Sequence, residues 1–159
     1  GSATNRLWDA GQFDRSLDYL KRIRDTGVMV GLSCHNPAEI EYAEEKGWDV
    51  DYYMASLYYI NRPRAEFRKI LGQLPLGEIY LDTDPPRMME VLRRTSKPCL
   101  AYKVLAAGRA VNSPAQVRQR MAAAYAGIKP TDALIIGLYQ RYNDQIGQTA
   151  QFTREILVT

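Results

Sequence analysis

Lys97-Pro98-Cys99-Leu100-Ala101-Tyr102-Lys103-Val104-Leu105-Ala106-Ala107-Gly108-Arg109 is the stretch on which the fold turns. Residues 100–105 form an apolar run broken once, by Lys103, entered through a proline and left through Ala-Ala-Gly. That is the pattern of a strand buried on both faces that runs into a loop at its carboxyl end. A lysine inside such a run is costly unless its ammonium is paired, neutralised or wetted. Two placements meet that condition: the side chain points into a polar cavity at the mouth of a barrel or sheet, or it lies along an edge with its head in water.

The flanking sequence repeats the same grammar of helix, short turn and apolar strand. Towards the amino terminus, Phe13, Leu17, Leu20 and Ile23 make one helical stripe, stopped at Asp25-Thr26-Gly27, and a strand follows at 28–32. Asn36, Pro37 and Glu39 have the order of an N-cap, a first-turn proline and a capping box, with Ile40 and Ala43 on the inner face and Gly47 as the stop. A second strand is expected at 48–57, an amphipathic helix within 63–75 and a brief strand or hairpin at 78–82. Asp84, Pro85 and Pro86 open a helix with Met88, Met89, Val91 and Leu92 inside. Beyond the central stretch, Ser113, Pro114 and Gln116 repeat the cap and box before the stripe Val117, Met121, Ala124 and Ile128. A last strand is expected at 133–138, and Asn143 or Asp144 starts a closing helix carrying Ile146, Ala150, Thr153 and Ile156.

One helix followed by four strand-plus-helix units implies an α/β fold with a parallel sheet. Four parallel strands have two open edges unless something covers them or the sheet closes. A complete eight-fold barrel needs ~250 residues, with ~200 at the lower end. At 159 residues the chain has the size of half a TIM barrel, a (βα)4 unit. Residues 1–12 are expected to be a tag and loose lead-in, with Gly1-Ser2 as a cloning scar, and residues 13–159 a single half-barrel domain.

Composition bounds the function. Apolar residues make up 46% and charged residues 25% of the chain, the profile of an ordinary globular domain. The net charge of +3 comes from 21 basic and 18 acidic residues mixed along the length, too weak and dispersed to indicate a nucleic-acid partner. No apolar run approaches the ~20 residues of a membrane span, and no signal-peptide pattern opens the chain. Cys34 and Cys99 lie far apart in strand-like contexts, the expectation for reduced thiols in a cytoplasmic protein.

Gly31-Leu32-Ser33, Trp48-Asp49-Val50, Ala101-Tyr102-Lys103 with Leu105-Ala106-Ala107-Gly108, and Ile135-Ile136-Gly137 follow one another in an order that resembles the carboxyl half of the aldo-keto reductase barrel. The segment 97–109 and the run Ile128-Lys129-Pro130-Thr131-Asp132-Ala133 look most like uncharacterised bacterial relatives of that family. The resemblance spans essentially the whole chain. It implies that the strands are the fifth to eighth of the barrel and the opening helix the fourth. The family's tyrosine, lysine, aspartate and histidine of hydride transfer belong to the first four strands, so no catalytic position is expected here. The second half of the family's barrel supplies most of the nicotinamide dinucleotide site, and here its polar contacts are largely replaced: Ser33-Cys34 for Ser-Asn, Tyr52 for a glutamine, Lys103-Val104-Leu105 for Ser-Pro-Leu, and Gln148-Thr149 for Glu-Asn. No cofactor is therefore expected, and NADP(H) is the one that the resemblance leaves open.

The candidate ligand-site residues are Ser33, His35, Lys103, Arg109, Gly137 and Arg141. Gly137 and Arg141 precede the last helix, where a glycine, an arginine and a helix N-terminus suit an anion such as a phosphate-bearing small molecule, or form an ordinary solvated loop. His35, the only histidine, reads as a general base, a metal ligand, a partner of Lys103 or a loop residue satisfying a carbonyl. No metal is expected, because Cys-X-X-Cys and His-X-X-X-His spacings are absent. Lys103 could form a Schiff base if desolvated, although no neighbours specific to that chemistry are apparent. Two functional readings stand: a half-barrel without catalysis of its own, pairing with another copy as a homodimer or with a complementary half-barrel, or part of an aldo-keto reductase-related oxidoreductase that keeps a phosphate site. Neither a membrane nor a nucleic acid is an expected partner.

Overall fold

The computed structural model describes residues 2–158. Helix α1 (Ser2–Asp9) and a 3-10 turn (Phe13–Arg15) lead into α2 (Ser16–Arg24). Then follow β1 (Gly31–Cys34), α3 (Pro37–Glu45), β2 (Tyr52–Ser56), α4 (Arg64–Leu71), α5 (Asp84–Arg94), β3 (Cys99–Tyr102), α6 (Pro114–Gly127), β4 (Ala133–Ile135) and α7 (Gln145–Leu157). All four strands are parallel, and their order in the sheet is their order in the chain. This order is consequential. Parallel crossovers are right-handed, so a sheet that never reverses its winding carries every crossover helix on the same side. A doubly wound sheet would be covered on both.

The burial pattern follows. Leu32, Cys34, Tyr53, Ala55, Cys99 and Ala101 alternate along the strands and are buried beneath the helices. Their neighbours point the other way: Gly31, Ser33, Tyr52, Met54, Leu100 and Tyr102 are half-buried, and Ala133 and Ile135 are exposed. In register, Ser33, Met54, Leu100 and Ala133 form one row across this second face. Gly31 is tied to this face, because a Cβ there would lie 2.2 Å from the Tyr52 ring.

Aspartates pin the amino ends of the strands in a repeated way. Asp51, just before β2, accepts the Val30 amide at 2.6 Å and is gripped by Arg24. Asp132, just before β4, accepts the Cys99 amide at 2.8 Å and pairs with Lys129. In each case the residue ahead of one strand holds the start of the previous one, which sets the stagger.

Several elements differ from the sequence reading. The first residues are not a loose lead-in: α1 packs on β1, Thr4 Oγ1 donates to the Ser33 carbonyl at 2.8 Å, and Trp8 joins Phe13, Tyr42 and Trp48 in an aromatic cluster. Gly1 lies outside the described residues. Strand β1 begins three residues later than expected, leaving Val28 and Met29 exposed. Strand β3 is not buried on both faces and ends at Tyr102, so Lys103 lies beyond it, at φ 62°. Residues 78–82 form no strand. Asn36, Ser113 and Asp144 do cap their helices, accepting from the amides of Ala38, Gln116 and Gly147.

The loop after β2 is locked by a buried ion pair. Arg62 Nη2 lies 2.7 Å from Asp84 Oδ1, with the two side chains only 10% and 6% exposed, and Asp84 also accepts the Tyr59 amide. Glu66 and the rings of Tyr59 and Phe67 complete the surroundings of the guanidinium. Removing one member of such a pair leaves a charge buried without its partner. Asp84→Ala is accordingly expected to destabilise the fold by about 3–5 kcal/mol, read as a lowered urea midpoint at unchanged m-value.

Candidate functional site

Parallel strands bring their carboxyl ends to one side of the sheet, and four of the six candidate residues lie at or near those ends, Lys103 and Gly137 lining one groove and His35 another cavity. Ser33 lies on β1, His35 one residue beyond it, Lys103 one residue beyond β3, and Gly137 two beyond β4. Arg109 follows in the β3–α6 loop. Arg141 is exposed, with its guanidinium 5.5 Å from the Tyr142 ring centroid, and does not line the groove described below.

His35 is the centre of a directed hydrogen-bond chain. Asn5 Oδ1 lies 3.1 Å from Nδ1 and 3.4 Å from the Asn61 amide nitrogen, while Tyr102 Oη lies 3.0 Å from Nε2. With the Asn5 oxygen as acceptor, Nδ1 carries the proton and Nε2 accepts from the tyrosine. Burial, reinforced by the charge of Lys103, lowers the His35 pKa to about 4, and burial raises that of Tyr102. The pair is thus a neutral imidazole and a protonated phenol. Transfer of the tyrosine proton to the histidine is strongly uphill, so the arrangement orients Tyr102 rather than ionising it.

A second cluster surrounds Tyr80. Lys103 Nζ donates to its hydroxyl at 3.2 Å, Arg109 stacks on its ring at 4.3 Å, and the hydroxyl donates to Glu78 at 2.8 Å. The loop carrying both cations is unusual: Lys103, Ala106 and Ala107 all have φ between 50° and 62°, a region that side chains with a Cβ rarely occupy. This loop, the start of α6, the end of β4 and the start of α7 enclose a groove of about 790 Å³. Tyr102, Lys103, Gln148 and Thr149 are among its lining residues. A smaller cavity of about 430 Å³ lies between His35, the start of α3, Arg62 and Asp84.

The anion-friendly reading of the last loop meets a self-sufficient helix end. The first amides of α7 are already bound: Gln145 donates to the Asn143 carbonyl, Ile146 to Gln140 Oε1 at 3.0 Å and Gly147 to Asp144 Oδ1 at 2.8 Å. At α6 the Gln116 amide goes to Ser113 Oγ, and Pro114 has no amide hydrogen to offer.

Sequence reasoning missed Asn5, Tyr102 as the histidine's partner, and Tyr80. Asn5 sits in residues assigned to the lead-in, and the Tyr102–His35 contact joins positions 67 apart. It also took Glu39 for a capping-box residue, whereas Glu39 is fully buried with neither carboxylate oxygen hydrogen-bonded. The Cys34 thiol and the amides of His35 and Asn36 lie close enough to favour its ionised form without completing a bond, and burial overrides them, raising its pKa to about 7. Both cysteines are free and buried. Among the described residues no cluster of three or more His, Cys, Asp or Glu side chains could hold a metal ion, and no helix is long and apolar enough to cross a membrane.

No family model matches the chain, and no curated protein or solved structure matches it either.

Glu39 makes stability depend on pH in a definite direction. Its folded pKa lies above its unfolded value, so the unfolded chain binds fewer protons between pH 4.5 and about 7, and stability falls as pH rises through that window. Glu39→Met is expected to remove this slope and to raise stability at pH 8 by roughly 3 kcal/mol, with little change at pH 4. Urea unfolding of both proteins across that range provides the measurement.

Proposed function

We propose that the chain is a half-barrel unit, without catalysis of its own, that completes an eight-stranded parallel barrel by pairing with a second copy of itself. The supporting observation is the uncovered face of the sheet. Gly31, Ser33, Tyr52, Met54, Leu100, Tyr102, Ala133 and Ile135 carry no charge, remain partly or fully exposed, and lie on a singly wound sheet whose winding leads towards closure. The β4 edge is open, and apolar side chains (Ile135, Leu138, Tyr139) continue past it. At the other edge Val28 and Met29 are exposed beside β1. Unprotected edges and uncovered apolar sheet faces seek partners. Closure requires α1 to release the Ser33 carbonyl, which it now covers.

A second reading makes the chain part of an aldo-keto reductase-related oxidoreductase that retains a phosphate-bearing ligand such as NADP(H). The groove at the carboxyl ends of β3 and β4 favours it, that face being where barrel proteins bind ligands. The occupied amides at the start of α7 count against it.

Sedimentation equilibrium separates these readings. Self-pairing predicts a concentration-dependent mass approaching twice 18.1 kDa. Ile135→Lys, at a position 41% exposed in the lone chain, is expected to leave unfolding of the monomer within about 0.5 kcal/mol while abolishing the dimer. A strict monomer at all concentrations, indifferent to this substitution, sinks the self-pairing reading. An NADPH titration with saturable binding would support the second.

A further inference from the structure

The groove along the carboxyl ends of β3 and β4 has a chemistry that barrel closure does not explain. Val104, Leu105, Val111, Val117, Ile135 and Leu138 give it apolar walls, and among the described residues Lys103 is the only charged side chain lining it. The Lys103 ammonium donates to the Tyr80 hydroxyl, and the nearest acidic group in that chain, Glu78, is one hydroxyl further away. Lys103 is placed there by a backbone conformation that costs free energy, since a non-glycine residue at φ 62° is strained. The walls of about 790 Å³ enclose room for a compact organic molecule.

The charge balance narrows the ligand class. A polyphosphate needs several donors, but the amides at the start of α7 are bound within the chain, and the Asp144 carboxylate stands at that helix end. The Gly147 amide and Gln140 keep that carboxylate's pKa below its ordinary value, so it repels a second negative charge. One lining cation, apolar walls and the Asp144 carboxylate next in sequence to the lining residues Asn143 and Gln145 together favour a single negative charge on an apolar body. We propose that this groove binds an amphiphilic monoanion, a carboxylate held by Lys103 with an aromatic or branched aliphatic body against the Val111, Val117 and Ile135 wall. The proposal concerns the lone chain, and Ile135, Leu138 and Tyr139, which line the groove, also belong to the surface that self-pairing would use.

Isothermal titration with four probes tests it: 4-phenylbutyrate, its neutral analogue 4-phenylbutanamide, inorganic phosphate and NADPH. The acid is expected to bind about tenfold or more tightly than the amide, the worth of one charge-assisted hydrogen bond. Lys103→Met should bring the two probes level. Val111→Trp, at an exposed wall position, should fill the groove and weaken both, with far-ultraviolet circular dichroism and urea midpoint unchanged. Equal binding of acid and amide to the unaltered chain, an acid preference that survives Lys103→Met, tighter binding of phosphate or NADPH, or no heat from the acid at millimolar concentration would each overturn the proposal. The same samples examined by sedimentation report closure separately, so failure of the groove and failure of self-pairing are distinguishable.

Discussion

The handedness of the parallel crossover governs this molecule. A sheet of order β1-β2-β3-β4, wound one way throughout, receives all its crossover helices on one side. Residues of one parity along the strands then form a core with those helices, and residues of the other parity meet no crossover helix, Ser56 alone among them being fully buried, by the loop at Tyr58. Leu32, Tyr53 and Ala101 are at most 2% exposed, while Met54, Leu100 and Tyr102 are half-buried and Ile135 is exposed. The asymmetry is thus a consequence of topology before it is a matter of composition. A side chain on the second face can be buried only by something beyond the four strands described.

The two ends of the sheet have different physical characters. At the amino end, buried or half-buried carboxylates are fully used: Asp51 by Arg24 and the Val30 amide, Asp132 by Lys129 and the Cys99 amide, Glu44 by Tyr53 and Lys97. These bonds fix the starts of the strands and so the stagger of the sheet. At the carboxyl end lie the left-handed conformations of Lys103, Ala106 and Ala107, a neutral histidine between an asparagine and a tyrosine, a carboxyl of Glu39 with no hydrogen-bond partner, and the larger groove. Strained and unsatisfied groups therefore gather at the carboxyl end, where the buried Arg62–Asp84 pair holds the loop after β2 in place. Such groups suit that end to binding.

Much of this architecture is legible in the sequence because local rules and the tertiary fold agree. Asn36, Ser113 and Asp144 cap helices for reasons contained within a few residues, and the helical stripes of 114–127 and 84–94 need only a period of 3.6. Strand limits were less legible because an apolar run marks what is hydrophobic rather than what is paired: Val28 and Met29 read as strand but lie outside β1. Lys103 was misread for a related reason. The apolar residues on both sides of it suggested one continuous strand, whereas the chain turns at that lysine into the left-handed region. Helix α1 and Asn5 were invisible because their partners, Ser33, His35 and Asn61, lie 29 or more residues away.

The site illustrates the same limit more sharply. Lys103 and His35 attracted notice as isolated polar residues in apolar contexts, yet their properties come from neighbours that no local pattern supplies. His35 is neutral because burial and the nearby lysine charge both disfavour its protonation, and its tautomer follows from Asn5 on a different element. Lys103 lines an apolar groove because β3 stops one residue before it and α6 starts far enough along to open a space between them. Extending β3 by a single residue would place position 103 on the helix-facing parity, among buried side chains, where a lysine could hardly persist. The left-handed turn at Lys103 is thus what allows an ammonium to stand at this end of the sheet, and the strain of that turn is the cost of having a cation there.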